Sequence, residues 1–402
     1  MTPTLGVEPA CPGAADATAP RSGGPSRPIR PLRAERRPFG SFERASWDAL
    51  AVATPWATPF ARWSFHRAWW DAYGANAHDD TLALVDASSG ELVGIAPLMH
   101  RHEVEAGDAA AHTALRSDPV APSTPVAPAA TAIFFGASYH ADYATLLVPP
   151  AELPGAAEAI AAWLASSTPS SAGGPTAWDA VDLRRLRCGD PAADELAAAF
   201  LRRETGEGWT LNVEREDVCP VVTLPVDATF ETYLDGLGKK ERHEIRRKVR
   251  RAEGAGEVRL DRSDDPLADL DAFIDLHQRR WGADGLFPPT PGGDASRRFV
   301  RRLFELGASE GYLHLSFLTV AGRRIAAGIH LEDPAGVYYY NAGVDPDARE
   351  LSPGVVLVAR FVADAIGRGH RRFDFLRGDE PYKYEWGAVD EPIQRLLVRR
   401  TP

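Results

Sequence analysis

The stretch from residue 313 to 376 leaves few ways for this chain to fold. Three apolar runs follow one another: His314-Leu-Ser-Phe-Leu-Thr-Val320, then Arg324-Ile-Ala-Ala-Gly-Ile-His-Leu331 after a turn at Ala321-Gly322, then Gly336-Val-Tyr-Tyr-Tyr-Asn341. Their β-branched and aromatic content and short connections predict a strand meander. A helical stretch over 353–368 and a strand over 372–376 follow. Before the meander come a strand over 221–224 and helices over 230–251, 267–281 and 295–306, the second carrying Leu270, Phe273, Ile274 and His277 on one face. Helices, then a meander, then helix and strand make an α+β layout with mixed sheets flanked by helices.

The first half shows a similar order. An aromatic helix over 56–73 places Phe65, Trp69 and Tyr73 four residues apart. A hairpin of 81–85 and 92–96 turns at Ser89-Gly90, and strands are expected at 132–135, 143–148 and 180–183, with helices at 152–166 and 192–205. Two halves of like order predict a duplicated domain, the first spanning 40–215 and the second 220–400. Residues 1–38, rich in Pro, Gly, Ala and Arg without periodicity, are expected to be a disordered tail. Stretches 106–131 and 167–175, dominated by small residues and proline, are expected to be loops.

Composition removes several functions. The formal net charge of −11 excludes a whole-chain nucleic-acid coat, though not a local basic patch. Cys11, Cys188 and Cys219 are far apart, which argues against a disulfide framework and a structural zinc site and fits a reducing cytoplasm. The most apolar run, 355–366, is interrupted by Arg360 and Asp364, so no transmembrane segment is expected. There is no P-loop or dinucleotide fingerprint, and His100-Arg-His102 is too small a set for a metal.

Leu351-Ser352-Pro353-Gly354 is the strongest local constellation. Ser352 suits an N-cap, Pro353 the first helical position, and Gly354 lets a ligand approach the backbone. A helix start of this kind carries free N–H groups and positive partial charge, and can hold a pyrophosphate. The same residues also begin helices that bind nothing.

Four ordered segments carry a resemblance: Tyr233-Leu-Asp-Gly-Leu-Gly-Lys-Lys-Glu-Arg-His-Glu-Ile-Arg-Arg-Lys248, His277-Gln-Arg-Arg-Trp281, Ser352-Pro-Gly-Val-Val-Leu357 and Phe373-Asp-Phe-Leu-Arg-Gly-Asp-Glu-Pro-Tyr-Lys-Tyr-Glu-Trp-Gly387. Together they resemble the CelD-type acetyltransferases, GNAT-superfamily members linked to cellulose or exopolysaccharide synthesis and related to the FemAB aminoacyl transferases. Over 55–150 the likeness rests on Pro59-Phe-Ala-Arg-Trp-Ser-Phe-His-Arg-Ala-Trp-Trp70 and Ser138-Tyr-His-Ala-Asp-Tyr143. The resemblance implies two tandem GNAT-like domains and acetyl-CoA, or another acyl-CoA, as co-substrate, without a metal. It also implies that pantetheine lies along Tyr340 and Asn341 and that the pyrophosphate rests on Ser352, Pro353 and Gly354. The first half has Val148-Pro-Pro-Ala151 where that glycine would stand, so donor binding is not expected there.

Acyl transfer needs a base, an oxyanion donor and an acid for the departing thiolate. Asp374, alternating with Phe373 and Phe375, is the first candidate base, against a loop-closing role. Tyr382 is the candidate acid. Lys383, Tyr384 and His330 are candidates for binding the acceptor, with Lys383 alternatively paired to Asp379 or Glu385. Residues 239–251 hold eight Lys or Arg and two Glu, with Leu237, Glu241, Ile245 and Val249 on one seam. The basic face is either solvated or binds an anionic ligand.

The expected function is transfer of an acyl group from acyl-CoA to an amine or hydroxyl of a polar, sugar-linked small acceptor. The alternatives are a FemAB-like aminoacyl transferase that uses the basic helix on tRNA, and an inactive scaffold in polysaccharide assembly.

Overall fold

The meander is present, and longer than the apolar runs alone predict. The computed structural model of the chain describes residues 30–101, 131–137, 140–166 and 177–400. The loops expected at 106–131 and 167–175, nearly all of the expected tail, and Ser138-Tyr139 lie outside them. The described chain divides into two compact units. Unit 1 holds the residues up to His66, Gly74–Val218 and the segment from Glu391 onward; unit 2 holds Arg67–Tyr73 and Cys219–Asp390. The final strand thus clusters with unit 1, although the expected second domain ran to residue 400.

Unit 1 begins with β1 (Leu32–Arg36), α1 (Arg44–Ala53) and α2 (Trp63–Tyr73), the last of which continues into unit 2. Strands β2 (His78–Asp79), β3 (Leu82–Asp86), β4 (Leu92–Ala96), β5 (Leu98–Arg101) and β6 (Ala132–Phe135) follow. Then come α3 (Leu153–Ala165), β7 (Ala180–Arg187), α4 (Pro191–Leu201), α5 (Glu204–Glu207) and β8 (Trp209–Thr223). Residues 32–36 are not tail: Leu32 faces Asp86 and Arg36 faces Leu82 across an antiparallel pairing with β3. Residues 143–148 are not a strand, and contribute a bridge between Leu147 and Ile95. Strands β6 and β7 run parallel, joined through α3, whose Ala156, Ala157, Ile160, Ala161 and Leu164 are buried in the unit's core. Burying side chains of the Ile and Leu class contributes roughly 1.5–3 kcal/mol each.

Unit 2 continues with α6 (Phe230–Asp235), α7 (Lys239–Ala255), β9 (Val258–Arg262), α8 (Pro266–Trp281) and α9 (Pro291–Gly307). The meander is β10 (Leu313–Val320), β11 (Arg323–Glu332) and β12 (Gly336–Val344), followed by α10 (Pro353–Gly367), β13 (Arg372–Asp374) and α11 (Pro381–Tyr384). The last strand, β14 (Val389–Arg400), passes into unit 1 and pairs there with β7. The single helix expected over 230–251 is two helices. Gly236-Leu237-Gly238 separates them, and Gly238 at the start of α7 is extended (φ −53°, ψ 146°). A Cβ there would collide with the Glu241 carboxylate.

The sheet of unit 2 has the order β8-β13-β12-β11-β10-β9. The meander strands are antiparallel, β12 and β13 are parallel, and β13 is antiparallel to β8. Unit 1 repeats this connectivity: β5 and β6 are antiparallel, β6 and β7 parallel through a helix, and β7 antiparallel to β14. The α+β class with mixed sheet flanked by helices is therefore the observed one, and β1, β3 and β4 form a separate antiparallel three-stranded sheet. Among the described residues, Cys219 is a free, buried cysteine.

Candidate active site

Strand β12 parts from its parallel neighbour midway. It pairs with β13 only through Gly336, Val337 and Tyr338, opposite Arg372, Phe373 and Asp374. From Tyr339 to Val344 its ladder partners lie on the β11 side alone. The register on that side shifts as well: Ile329 faces Asn341 and His330 faces Tyr339, leaving Tyr340 as an extra, bulged residue. Tyr340 and Asn341, both half-buried, therefore sit where the sheet opens.

Two helices frame this opening. Helix α8 lies so close to β12 that a Cβ on Gly343 would overlap the His277 backbone nitrogen. The His277 ring bridges two segments. Nε2 accepts from the Leu286 N–H at 3.1 Å, which puts the ring proton on Nδ1, and Nδ1 donates to the Ala342 carbonyl at 3.1 Å. Burial pushes His277 down to about 4, so the imidazole is neutral.

Helix α10 begins beside the end of β12. Pro353 occupies its first position, and Ser352 precedes it in the left-handed region (φ 53°, ψ 53°) without a side-chain cap. The Ser352 carbonyl accepts from Val355 and Val356, while the Gly354 N–H has no protein acceptor among the described residues. The Ser352 hydroxyl instead accepts from Arg251 at 2.8 Å. A Cβ on Gly354 would have Val344 Cγ1 as its neighbour at 3.8 Å, so the space beside it is open. An uncapped helix start, an approachable glycine and a guanidinium thus converge at one end of the open strand edge.

Residues 239–384 match the family model described as an acetyltransferase (GNAT) domain. The chain carries a GNAT-type acetyltransferase domain. The described fold is similar to the crystal structure of FemX, with TM-score 0.55, 11% identity, and coverage of 88% of this chain and 96% of that one. It is also similar to a conserved protein of unknown function from Bacteroides thetaiotaomicron VPI-5482, with TM-score 0.51, 11% identity, and coverage of 90% and 98%. At this identity the likenesses speak to fold. Comparison with curated protein sequences gives no match.

Within the GNAT domain, the remaining candidates divide sharply. Asp374 is fully buried at the end of β13. It accepts from the Leu376 N–H and from Arg372, each at 2.8 Å. Lys383 is buried too, and its ammonium donates to the carbonyls of Leu376, Arg377 and Gly378 at 3.0, 2.8 and 2.9 Å. Its ion-pair partner is Glu380 at 2.9 Å, not Asp379 or Glu385. These two residues clamp Leu376, which is held in the left-handed region at φ 59°. A base needs an open oxygen and an anion binder an open ammonium; the contacts of Asp374 and Lys383 correct both expectations in favour of closing the loop.

Tyr384 donates to Asp390 at 2.7 Å, tying the loop to the start of β14 instead of facing an acceptor. His330 is buried against Phe361, with ring centroids 4.8 Å apart, and its Nε2 meets Glu332 at 3.1 Å. Burial lowers it to about 4. It belongs to a packed cluster around Glu332 with Arg262, His314 and Arg368, so its expected acceptor role gives way to a structural one.

Tyr382 remains accessible. It is 38% exposed and stands edge-on to Phe375 at 5.9 Å. Desolvation, with Glu380's charge adding, pushes its hydroxyl up to about 12, so it keeps its proton at neutral pH. Sequence reasoning missed the roles of His277 and Arg251. Their signals were a histidine on the apolar face of α8 and a basic run long enough to reach the next helix. Among the described residues no group of three or more His, Cys, Asp or Glu is arranged to hold a metal, and no helix is long and apolar enough to cross a membrane.

Proposed function

We propose that unit 2 transfers an acyl group from acyl-CoA to an amine or hydroxyl of a polar, sugar-linked acceptor. The observation that carries this reading is the convergence of the open edge of β12 with the uncapped start of α10 and Arg251. Acyl-CoA supplies an acyl group activated as a thioester. Tyr340 and Asn341 offer backbone groups along the splayed strand. Ser352, Pro353 and Gly354 offer a helix start with a free N–H, and Arg251 adds a full positive charge suited to phosphate. Tyr382 holds a proton at its hydroxyl that a leaving group can take.

We read unit 1 as lacking a donor site. The corresponding crossover helix, α3, starts with Glu152 at its N-cap, a carboxylate where a phosphate would have to sit. The test is calorimetry of the full chain with acetyl-CoA. Saturable binding that weakens in Gly354→Val supports the reading. No binding by the unaltered chain overturns it, and salt-sensitive binding of aminoacyl-tRNA in its place identifies the aminoacyl-transferase alternative.

A further inference from the structure

The motif His277-Gln-Arg-Arg-Trp281 closes α8, and two of its side chains reach one neighbouring segment at different points. His277 Nδ1 donates to the Ala342 carbonyl on the open part of β12. Arg279, two residues on and so on another side of the helix, meets Asp345 at 2.7 Å and Asp347 at 2.8 Å. Gly343, between the two points of contact, has no room for a Cβ against the His277 backbone nitrogen.

Asp345 is the hub of the second contact. It is buried and follows β12 directly, and its N–H donates to the Ile325 carbonyl of β11 at 2.8 Å. Its carboxylate accepts from the Asp347 N–H at 3.0 Å and from Arg323, and pairs with Arg279 as well. Asp345 thereby caps the 3-10 helix Pro346–Leu351, which leads into Ser352 and the start of α10.

The open strand and this helix start are the two ends of the proposed donor site. On that reading pantetheine lies along the first and the pyrophosphate rests on the second. A donor of fixed length needs the two at a fixed separation, and a displacement of about 1 Å in such a site can cost about 100-fold in rate. Helix α8 touches both, through His277 at the strand and through Arg279 at the head of the 3-10 helix. Resting on the acyl-CoA reading of unit 2, we propose that Arg279, acting through Asp345, is a positioning residue that sets the phosphate-binding helix start against the open strand.

The experiment titrates the full chain by calorimetry with acetyl-CoA and with S-acetylpantetheine, which lacks the phosphates. In Arg279→Gln, acetyl-CoA should bind about tenfold more weakly and S-acetylpantetheine as in the unaltered chain, because the helix start loses its anchor while the strand keeps His277. Arg323 still pairs with Asp345 in this variant, so no buried carboxylate is left alone and the melting temperature should stay within a few degrees. Arg279→Lys keeps the charge and should recover most of the affinity. Asp345→Asn separates positioning from direct contact, since it removes a negative charge and leaves Arg279 in place. Weaker acetyl-CoA binding in Asp345→Asn supports the proposal; tighter binding would make Arg279 a direct phosphate ligand and overturn it. Equal losses of both ligands in Arg279→Gln also overturn it, as a merely structural role. Wild-type affinity for acetyl-CoA in Arg279→Gln overturns it while the acyl-CoA reading stands. No binding of acetyl-CoA by the unaltered chain overturns that reading and this proposal with it.

Discussion

Arg251 donates to the hydroxyl of Ser352 across 2.8 Å, and so joins the basic helix α7 to the residue in front of α10. Other arginines of that helix are neutralised locally: Arg246 pairs with Glu231 and Asp235, Arg247 with Glu244, and Arg242 with Asp235. Arg251 has no carboxylate partner among the described residues. Three of the eight cations of the basic run are thus paired with carboxylates, and Arg251 delivers its charge to a helix start that has a free N–H.

Arg251→Ala should weaken acetyl-CoA binding about tenfold, the usual weight of one charge-assisted hydrogen bond to phosphate. Binding of S-acetylpantetheine, which lacks the phosphates, should not change. Calorimetry on both ligands makes the comparison, and equal losses for the two would assign Arg251 a role away from the phosphates.

Gly354→Val should leave the fold intact, because the nearest side-chain atom to the new Cβ lies at 3.8 Å. The branched side chain would nevertheless stand beside the free N–H and block its approach to phosphate. Acetyl-CoA affinity should fall at least about tenfold while the melting temperature stays within a few degrees. Wild-type affinity in this variant would remove Gly354 from the donor site.

The strands of the meander, the crossover helix and β6 were legible because each has a dense apolar pattern within a few residues. Strands β1, β9 and β14 were not: Leu32–Arg36, Val258–Arg262 and Val389–Arg400 alternate with charged residues and take their order from distant partners. The donor side of the site was legible for a local reason, since Ser352-Pro353-Gly354 starts a helix whatever surrounds it. Asp374 and Lys383 were misread because strand alternation gives a direction without saying what fills it. A left-handed Leu376, whose N–H and carbonyl need those two side chains, leaves no trace in the sequence.

Lys383→Met should therefore act on stability. It removes a buried ammonium and leaves three carbonyls without their donor, a loss of about 3 kcal/mol. Thermal melting should drop by several degrees or more, and any activity should track the folded fraction. A stable Lys383→Met protein with a raised KM for the acceptor would restore the anion-binding role.

Acid should loosen unit 2 through His277. Its ordinary value near 6.5 is lowered to about 4 by burial, so the unfolded chain binds the proton more readily than the folded one. The stability it contributes is complete above about pH 6.5 and is lost as pH falls toward 4. Melting temperature measured from pH 7.5 to 4.5 should decline across that window. In His277→Gln the starting value should be lower and the decline shallower. An unchanged slope would show that other buried histidines, His330 among them, carry the effect.

Tyr382→Phe tests chemistry apart from folding. Among the described residues the hydroxyl makes no hydrogen bond that holds the loop, and the ring keeps its edge-on contact with Phe375 in the variant. Melting temperature should stay unchanged. If the hydroxyl supplies the proton to the leaving group, kcat should fall by roughly 100-fold, within the range of a general acid, while the KM for acetyl-CoA moves little. Because the hydroxyl ionises near 12, the unaltered enzyme should show no alkaline loss of kcat from this group below about pH 11. A wild-type kcat in Tyr382→Phe would transfer the acid role elsewhere.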